Sequence, residues 1–158
     1  MKRQRITKGA ILKIPVDNYF CCAQILNMGS CAFFDCRFYN EDDIDINVLK
    51  SAKVLFIIDV YNDIITRGVW EKIGKLPVRD DLEVLPNQYI RHRFRYDLYN
   101  PNTGEVTPSC REEAVGLECC AVWDDFHVVD RLRCRYNGTH CTWLSDELEY
   151  LLEIYDEL

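Results

Sequence analysis

Nine cysteines are the residues of this 158-residue chain with the greatest potential for chemistry. Cys21, Cys22, Cys31 and Cys36 fall on neighbouring predicted strands and together suggest a zinc site. The chain contains no C-x-x-C pair, however, and Cys21 and Cys22 must point to opposite faces of one strand. We therefore predict that these thiols are buried core side chains and that the protein uses no metal and no cofactor.

A second combination, of His127, Asp130 and Cys134, lies on one face of a predicted helix at residues 125–136. A cysteine beside a histidine is typical of a nucleophilic enzyme. His127 and Cys134 are separated by about 10 Å along a helix, which is too far for a hydrogen bond. The chain also lacks a phosphate-binding glycine loop, a nucleophile elbow and an H-E-x-x-H motif. These features favour a protein that is not an enzyme. A Cys-dependent enzyme is the least favoured of three functional hypotheses.

Two basic clusters suggest nucleic-acid binding. Their arginines are Arg91, Arg93 and Arg95 on a predicted strand at residues 89–98, and Arg131, Arg133 and Arg135 on the predicted helix. Arginines with interleaved aromatic residues can hold phosphates and stack bases. The formal net charge of -7 opposes this function, because phosphate binding needs a basic surface. A nucleic-acid-binding module is therefore the alternative hypothesis, and neutralisation of the protein's own acids explains the arginines equally well.

Two acidic groups indicate a basic partner. Their members are Asp42, Asp43 and Asp45 on a predicted loop, and Glu149, Glu153, Asp156 and Glu157 on a predicted C-terminal helix at about residues 145–158. Acidic residues near a helix C-terminus oppose the helix dipole, so this helix would gain from basic contacts. We predict that these seven residues bind a partner. For the C-terminal helix, contact with the protein's own arginines is an equally good interpretation.

The elements that position these residues predict an α+β protein with a mainly antiparallel, strongly bent sheet. Residues 8–16 and 19–26 flank the turn pair Asp17-Asn18 and predict a hairpin, which residues 31–36 extend to a three-stranded meander. Residues 54–61 form the most apolar run and are expected at the centre of the sheet. Residues 117–123 read as a buried strand. No linker divides the chain, so residues 1–158 are predicted to form one domain.

The helix at residues 125–136 has clear signals at both ends. Asp124 or Asp125 can cap its first turn, and Asn137-Gly138 can end it. At 100° per residue, Val128 and Leu132 share an apolar arc, which places Arg131 on the polar side. The helix is therefore expected to pack by one face.

Apolar segments in the chain are too short to cross a membrane. The positively charged N-terminus is followed by a short apolar stretch that Lys13 interrupts, unlike a signal peptide. The longest apolar run, residues 54–58, falls far below the roughly 18 residues of a spanning helix. We expect a cytoplasmic bacterial protein without a membrane partner, and its oligomeric state stays open.

Four segments of the chain carry a family resemblance: K-G-A-I-L-K-I-P, VLFIIDVYNDIITRGVWEKIGKLPV, YNPNTGE and GLECCAVWDDFHVVDRLRCRYNG. They resemble the bacterial immunity protein 26 family of polymorphic toxin systems, and the resemblance covers about residues 5–143. It implies an α+β protein that binds and neutralises a cognate toxin by direct contact. The residues that match the family pattern are Trp70, Glu118, Trp123, His127, Asp130, Arg131, Tyr136 and Gly138. We expect these to form the scaffold, and the acidic groups to contact the toxin.

The charge of the chain extends this hypothesis. Many toxins of such systems are nucleases with basic grooves, so an acidic inhibitor would fit them by charge complementarity. The expected partner is therefore a basic toxin domain, such as that of a nuclease.

Overall fold

The computed structural model describes residues 2–144. The predicted C-terminal helix, with Glu149, Glu153, Asp156 and Glu157, lies outside the described residues.

Residues 2–144 form ten strands in two sheets. The strands are β1 (Ala10–Val16), β2 (Tyr19–Ile25), β3 (Cys31–Phe34), β4 (Val54–Val60), β5 (Glu71–Lys75), β6 (Gln88–Arg91), β7 (Tyr96–Tyr99), β8 (Val106–Ser109), β9 (Glu118–Cys119) and β10 (Val122–Trp123). The larger sheet has the order β10-β4-β3-β2-β1-β5, and the smaller has the order β8-β7-β6-β9. Only the β10–β4 and β9–β6 pairs are parallel among these strands. The predicted α+β class with mainly antiparallel pairing is confirmed.

Helices in the described part are short except for one. They are α1 (Asn62–Thr66), α2 (Arg111–Ala114) and α3 (Asp125–Asn137). The ends of α3 match the sequence prediction: the Asp124 carboxylate accepts a hydrogen bond from the Asp125 N–H, and Gly138 closes the helix in the left-handed conformation. Shorter 3-10 turns occur at Asn27–Gly29, Glu41–Asp43, Ile46–Lys50 and Asp80–Leu82.

The opening meander is also confirmed. β1 and β2 pair in antiparallel register around Asp17, whose φ of 50° gives the tight turn, and β3 adds to β2. Register shifts in the β1–β5 and β3–β4 pairs mark irregularities that bend the larger sheet. This sheet is open, because β10 and β5 form its two edges.

Each face of the larger sheet has its own apolar core. Cys21 and Phe33 belong to the core on the α3 side, whereas Cys22 and Phe34 belong to the core on the other side. This division confirms the predicted alternation of Cys21 and Cys22. The second core is covered by the segments at residues 44–57 and 73–85, whose apolar side chains pack against it.

Three predictions about the strands were wrong. Residues 89–98 form a hairpin, β6 and β7, because the His92 N–H donates to the Arg95 carbonyl at 2.8 Å and reverses the chain. Residues 117–123 form two separate strands, because β9 pairs with β6 of the smaller sheet and β10 pairs with β4 of the larger one. β4 lies next to the edge strand β10 and not at the centre of its sheet.

The position of Arg131 was also predicted wrongly. Its residue is only 6% exposed, and its two terminal nitrogens donate to the two Glu118 carboxylate oxygens at 2.7 and 2.9 Å. The guanidinium lies 3.8 Å from the Phe56 ring centroid and 5.1 Å from that of Trp123. Residues three apart on a helix are neighbours, so Arg131 enters the core beside Val128. Its charge is tolerated there because Glu118 neutralises it.

Replacing Arg131 by alanine should lower the free energy of unfolding by about 3–5 kcal/mol, because it leaves the Glu118 carboxylate buried without its partner. Urea unfolding followed by circular dichroism measures this change. The exposed Arg135→Ala variant is the control, and its stability should change by no more than about 0.5 kcal/mol. Equal unfolding midpoints for the two variants would show that the ion pair does not stabilise the fold.

Candidate functional site

An acidic segment follows the opening meander and is held in place by apolar side chains. Asp42, Asp43 and Asp45 are all exposed, as the sequence predicts. Ile44 and Ile46 alternate with them and pack against the second core. The Asp45 carboxylate accepts hydrogen bonds from the backbone and the side-chain amide of Asn47 at 3.0 and 3.1 Å, which caps the next 3-10 turn. The acidic groups are therefore presented on an anchored segment.

This segment forms one wall of a cavity of about 510 Å³. The cavity is lined by Lys13, Glu41, Ile44, Asp45, Ile46, Glu71 and Ile73. We call this region, together with Asp42 and Asp43, the acidic bowl. Five carboxylates against the single ammonium of Lys13 leave these residues with a formal charge of -4. The bowl can thus attract a cationic group.

Lys13 joins the two sides of the acidic bowl. Its ammonium group contacts the Glu41 carboxylate and lies 3.2 Å from the Glu71 carboxylate, and its side chain is 13% exposed. The hydrogen bond to Glu41 is the main reason that the Lys13 pKa is raised. Burial lowers the pKa by less, and the contact with Glu71 raises it further. The lysine therefore stays charged and fixes the position of both glutamates. The sequence prediction missed Lys13, Glu41 and Glu71, although a lysine between buried strand residues is a signal for an acidic partner.

A second cavity, of about 260 Å³, opens where the two sheets meet the start of α3. Its lining residues are Tyr89, Cys119, Ala121, Val122, Trp123, His127 and Trp143. We call this region the aromatic cleft. Sequence reasoning did not find it, because its walls come from β6, β9, β10, α3 and the segment after α3. No local pattern in the sequence links these five elements.

Tilted rings lie at one wall of the aromatic cleft, where His127 and Trp143 line it and Phe126 packs behind them. The His127 ring centroid lies 4.0 Å from that of Phe126 and 4.1 Å from that of Trp143. The Trp143 indole N–H donates to the Asp130 carboxylate at 2.7 Å. This bond and those from Arg133 hold the Asp130 pKa below its usual range. Phe126 and Trp143 nevertheless remain 51% and 45% exposed, so large aromatic surface faces solvent.

His127, Asp130 and Cys134, which the sequence suggested as a catalytic combination, each make separate structural contacts. His127 contacts two aromatic rings in tilted geometry, and Asp130 binds Trp143 and Arg133. Cys134 interacts instead with the thiol of Cys141, whose pKa is raised chiefly by burial. The geometry therefore offers no support for nucleophilic catalysis by His127 and Cys134.

Arginines of both basic clusters contact acidic groups of the protein. Arg131 pairs with Glu118, and Arg133 donates to Asp17 at 2.8 Å and also contacts Asp130. On the β6–β7 hairpin, Arg95 lies 3.7 Å from the Asp97 carboxylate. In the second cluster, the charges of Arg131 and Arg133 are thus neutralised within the protein, and Arg131 is buried.

The remaining residues of the family pattern occupy structural positions. Trp70 is 1% exposed and meets the Phe33 ring edge to face at 5.7 Å. The Tyr136 hydroxyl donates to Asp35 at 3.0 Å and accepts from the Cys36 N–H at 3.1 Å. Gly138 ends α3 with φ of 66°. These positions fit the scaffold role that the sequence predicts for them.

Similarity to a known protein family is found in the first part of the chain. The family model of Immunity protein 26 matches residues 7–98, more than half of the sequence. The chain belongs to the immunity protein 26 family. The match spans β1 to β6 and most of β7, so it includes the whole acidic bowl and ends before α3. Searches of curated proteins and of solved structures return no match.

The family match lies mainly in the first half of the chain, unlike the strongest part of the sequence resemblance. Residues 116–138, which carry much of the sequence resemblance, lie beyond the matched range.

Within residues 2–144, no helix is both long and apolar enough to cross a membrane. The same part of the chain contains no group of three or more histidine, cysteine or acidic residues arranged to hold a metal ion.

Buried cysteines should resist alkylation in the folded protein. Burial raises the pKa of Cys21, Cys22 and Cys31 to about 12, so their reactive thiolate forms are scarce at neutral pH. We expect iodoacetamide at pH 7.5 to modify the exposed Cys110 well before these three, as measured by peptide mass spectrometry. Modification of all four after unfolding in urea is the control. Equally fast labelling of Cys21 in the folded protein would contradict its burial.

Proposed function

We propose that this chain neutralises a cognate bacterial toxin by direct protein contact, in the cytoplasm and without chemistry of its own. Membership of the immunity protein 26 family is the observation that carries the proposal. The contacts of His127 with Trp143 and of Asp130 with Trp143 agree with it, because both side chains have structural partners.

We propose further that the toxin domain is basic, as a nuclease with a positively charged groove would be. The net charge of -7 and the acidic bowl support this step. Opposite charges raise the rate of encounter and favour one orientation of the partners, even where each surface pair adds little stability. Asp42, Asp43 and Asp45 are exposed and can act in this way. Glu149, Glu153, Asp156 and Glu157 are proposed to add to the same field.

Co-expression tests the function itself. The toxin domain encoded beside this gene should stop growth of a sensitive strain, and this chain should restore growth and co-purify with the toxin domain. An unrelated protein of similar size and net charge is the control for nonspecific neutralisation. Continued growth arrest without a complex would refute the proposal.

The contribution of the acidic bowl can be measured with a triple variant, Asp42→Asn, Asp43→Asn and Asp45→Asn. Asparagine caps helical turns as well as aspartate does, so the fold should be kept. We expect association with the toxin domain to slow by about tenfold at low salt, with little change in the dissociation rate, because the variant removes three attracting charges. Stopped-flow or biosensor kinetics at several salt concentrations measures this effect.

A matched control removes three exposed carboxylates elsewhere, by Asp63→Asn, Asp80→Asn and Glu105→Gln. It changes the net charge equally but leaves the acidic bowl intact. Equal slowing by both triple variants would assign steering to the net charge and not to the bowl. The same kinetics on a variant neutralised at Glu149, Glu153, Asp156 and Glu157 tests the C-terminal group.

A further inference from the structure

We infer that the aromatic cleft is an anchor site for one arginine side chain of the toxin. This inference deepens the proposed function and rests on it, since it names the chemistry of a contact that a basic toxin would make. The cleft is a second contact site, separate from the acidic bowl. It lies at the β10 edge of the larger sheet, whereas the bowl lies beside β5 at the other edge.

The walls of the cleft suit a planar cation. Tyr89, Trp123 and Trp143 contribute aromatic side chains to it, and tryptophan is the ring that attracts cations most strongly. A guanidinium can stack on such faces and is less strongly hydrated than an ammonium, which favours arginine over lysine. The protein already uses this chemistry once, where Arg131 lies against Phe56 and Trp123.

The size of the cleft indicates a side chain and not a separate small molecule. Its volume of about 260 Å³ is below the range of about 300–1,000 Å³ that is typical of small-molecule sites. The cleft is also open to solvent along the exposed Val122 and Trp143. A side chain that projects from a protein surface can therefore enter it without any change in the fold.

Among residues 2–144, no acidic side chain lines the cleft, but acidic residues adjoin its lining residues and favour a cation over an apolar side chain. Asp124 and Asp125 directly follow the cleft residue Trp123, and Asp130 contacts Trp143. The two arginines nearest to these acids on α3 are engaged, since Arg131 pairs with Glu118 and Arg133 bridges Asp17 and Asp130. A leucine or phenylalanine could fill the cleft, but it would gain nothing from these carboxylates.

The cleft is fixed in position before it binds. The hydrogen bond of 2.7 Å from Trp143 to Asp130 sets the indole orientation, and Arg133 in turn holds Asp130. Trp123 is 8% exposed and belongs to the core on the α3 side. Little side-chain freedom is therefore lost on binding, and preorganised aromatic pockets of this kind are common centres of binding energy in interfaces.

A peptide titration tests the site without the toxin. The intact chain, labelled with ¹⁵N, is titrated with the probe Ac-Gly-Arg-Gly-NH₂ while the indole N–H signals of its three tryptophans are recorded. Trp123 and Trp143 should shift, whereas Trp70, buried outside the cleft, should not. The matched peptide with citrulline has the same shape without the charge and should cause much smaller shifts. Equal shifts with both peptides, or none with the arginine peptide, would overturn the inference.

Dissociation kinetics then tests the cleft in the complex. Trp143→Ala should raise the dissociation rate of the toxin domain about tenfold and leave its association rate within about threefold, as expected for an anchor residue. Tyr61→Ala is the matched control, because Tyr61 is an aromatic residue with 51% exposure outside the cleft. Circular dichroism confirms that both variants fold.

These experiments separate the two proposals. If the wild-type complex forms and Trp143→Ala dissociates no faster than Tyr61→Ala, the cleft is not the anchor and the immunity function stands. If no toxin domain binds the wild-type protein, the proposed function fails together with its arginine anchor, even if the isolated peptide binds.

Discussion

The buried ion pair between Arg131 and Glu118 holds the parts of this protein together. Arg131 belongs to α3, Glu118 to the smaller sheet, and the Phe56 ring that the guanidinium covers to the larger sheet. Burial of either charge alone would be strongly unfavourable, so each residue requires the other in place. The two parallel hydrogen bonds also fix the angle between helix and strand. The aromatic cleft lies in the same region, where the two sheets meet the start of α3.

The two candidate contact surfaces differ in their physical character. The acidic bowl is a set of like charges, of which Lys13 holds Glu41 and Glu71 in position, and such charges act mainly over distance. The aromatic cleft is mostly apolar and rigid, and it acts only on contact. They also lie at opposite edges of the larger sheet. Capture of a partner and retention of that partner can therefore be controlled by separate residues.

The sequence was most informative where neighbouring residues decide the structure. The first hairpin, the cap at Asp124 and the end of α3 at Gly138 all follow from short-range signals. The helical periodicity also identified Val128 and Leu132 as buried. It misplaced Arg131, because polarity alone suggested solvent and the partner Glu118 lies 13 positions earlier on another element.

Long-range pairing decided the features that the sequence left open. The β6–β7 hairpin is a local exception: its turn at residues 92–95 has no glycine, proline or asparagine to signal it, and the His92–Asp97 contact forms only once the chain has reversed. The acidic character of residues 42–45 was evident, but Lys13 and Glu71 come from strands that only the folded sheet brings together. The aromatic cleft was missed for the same reason.

The short parallel strands β9 and β10 also have a consequence for how the protein matures. Gln88 pairs with Glu118, 30 positions later, and Asp59 pairs with Val122, 63 positions later. Contacts between such distant residues form late, because a long loop must close first, and during synthesis the earlier part of the chain is already available to fold. Residues up to Trp143 must therefore leave the ribosome before the cleft can assemble. A shorter nascent chain, of which only β1 to β5 have emerged, can already display its acidic bowl while it still lacks its aromatic anchor.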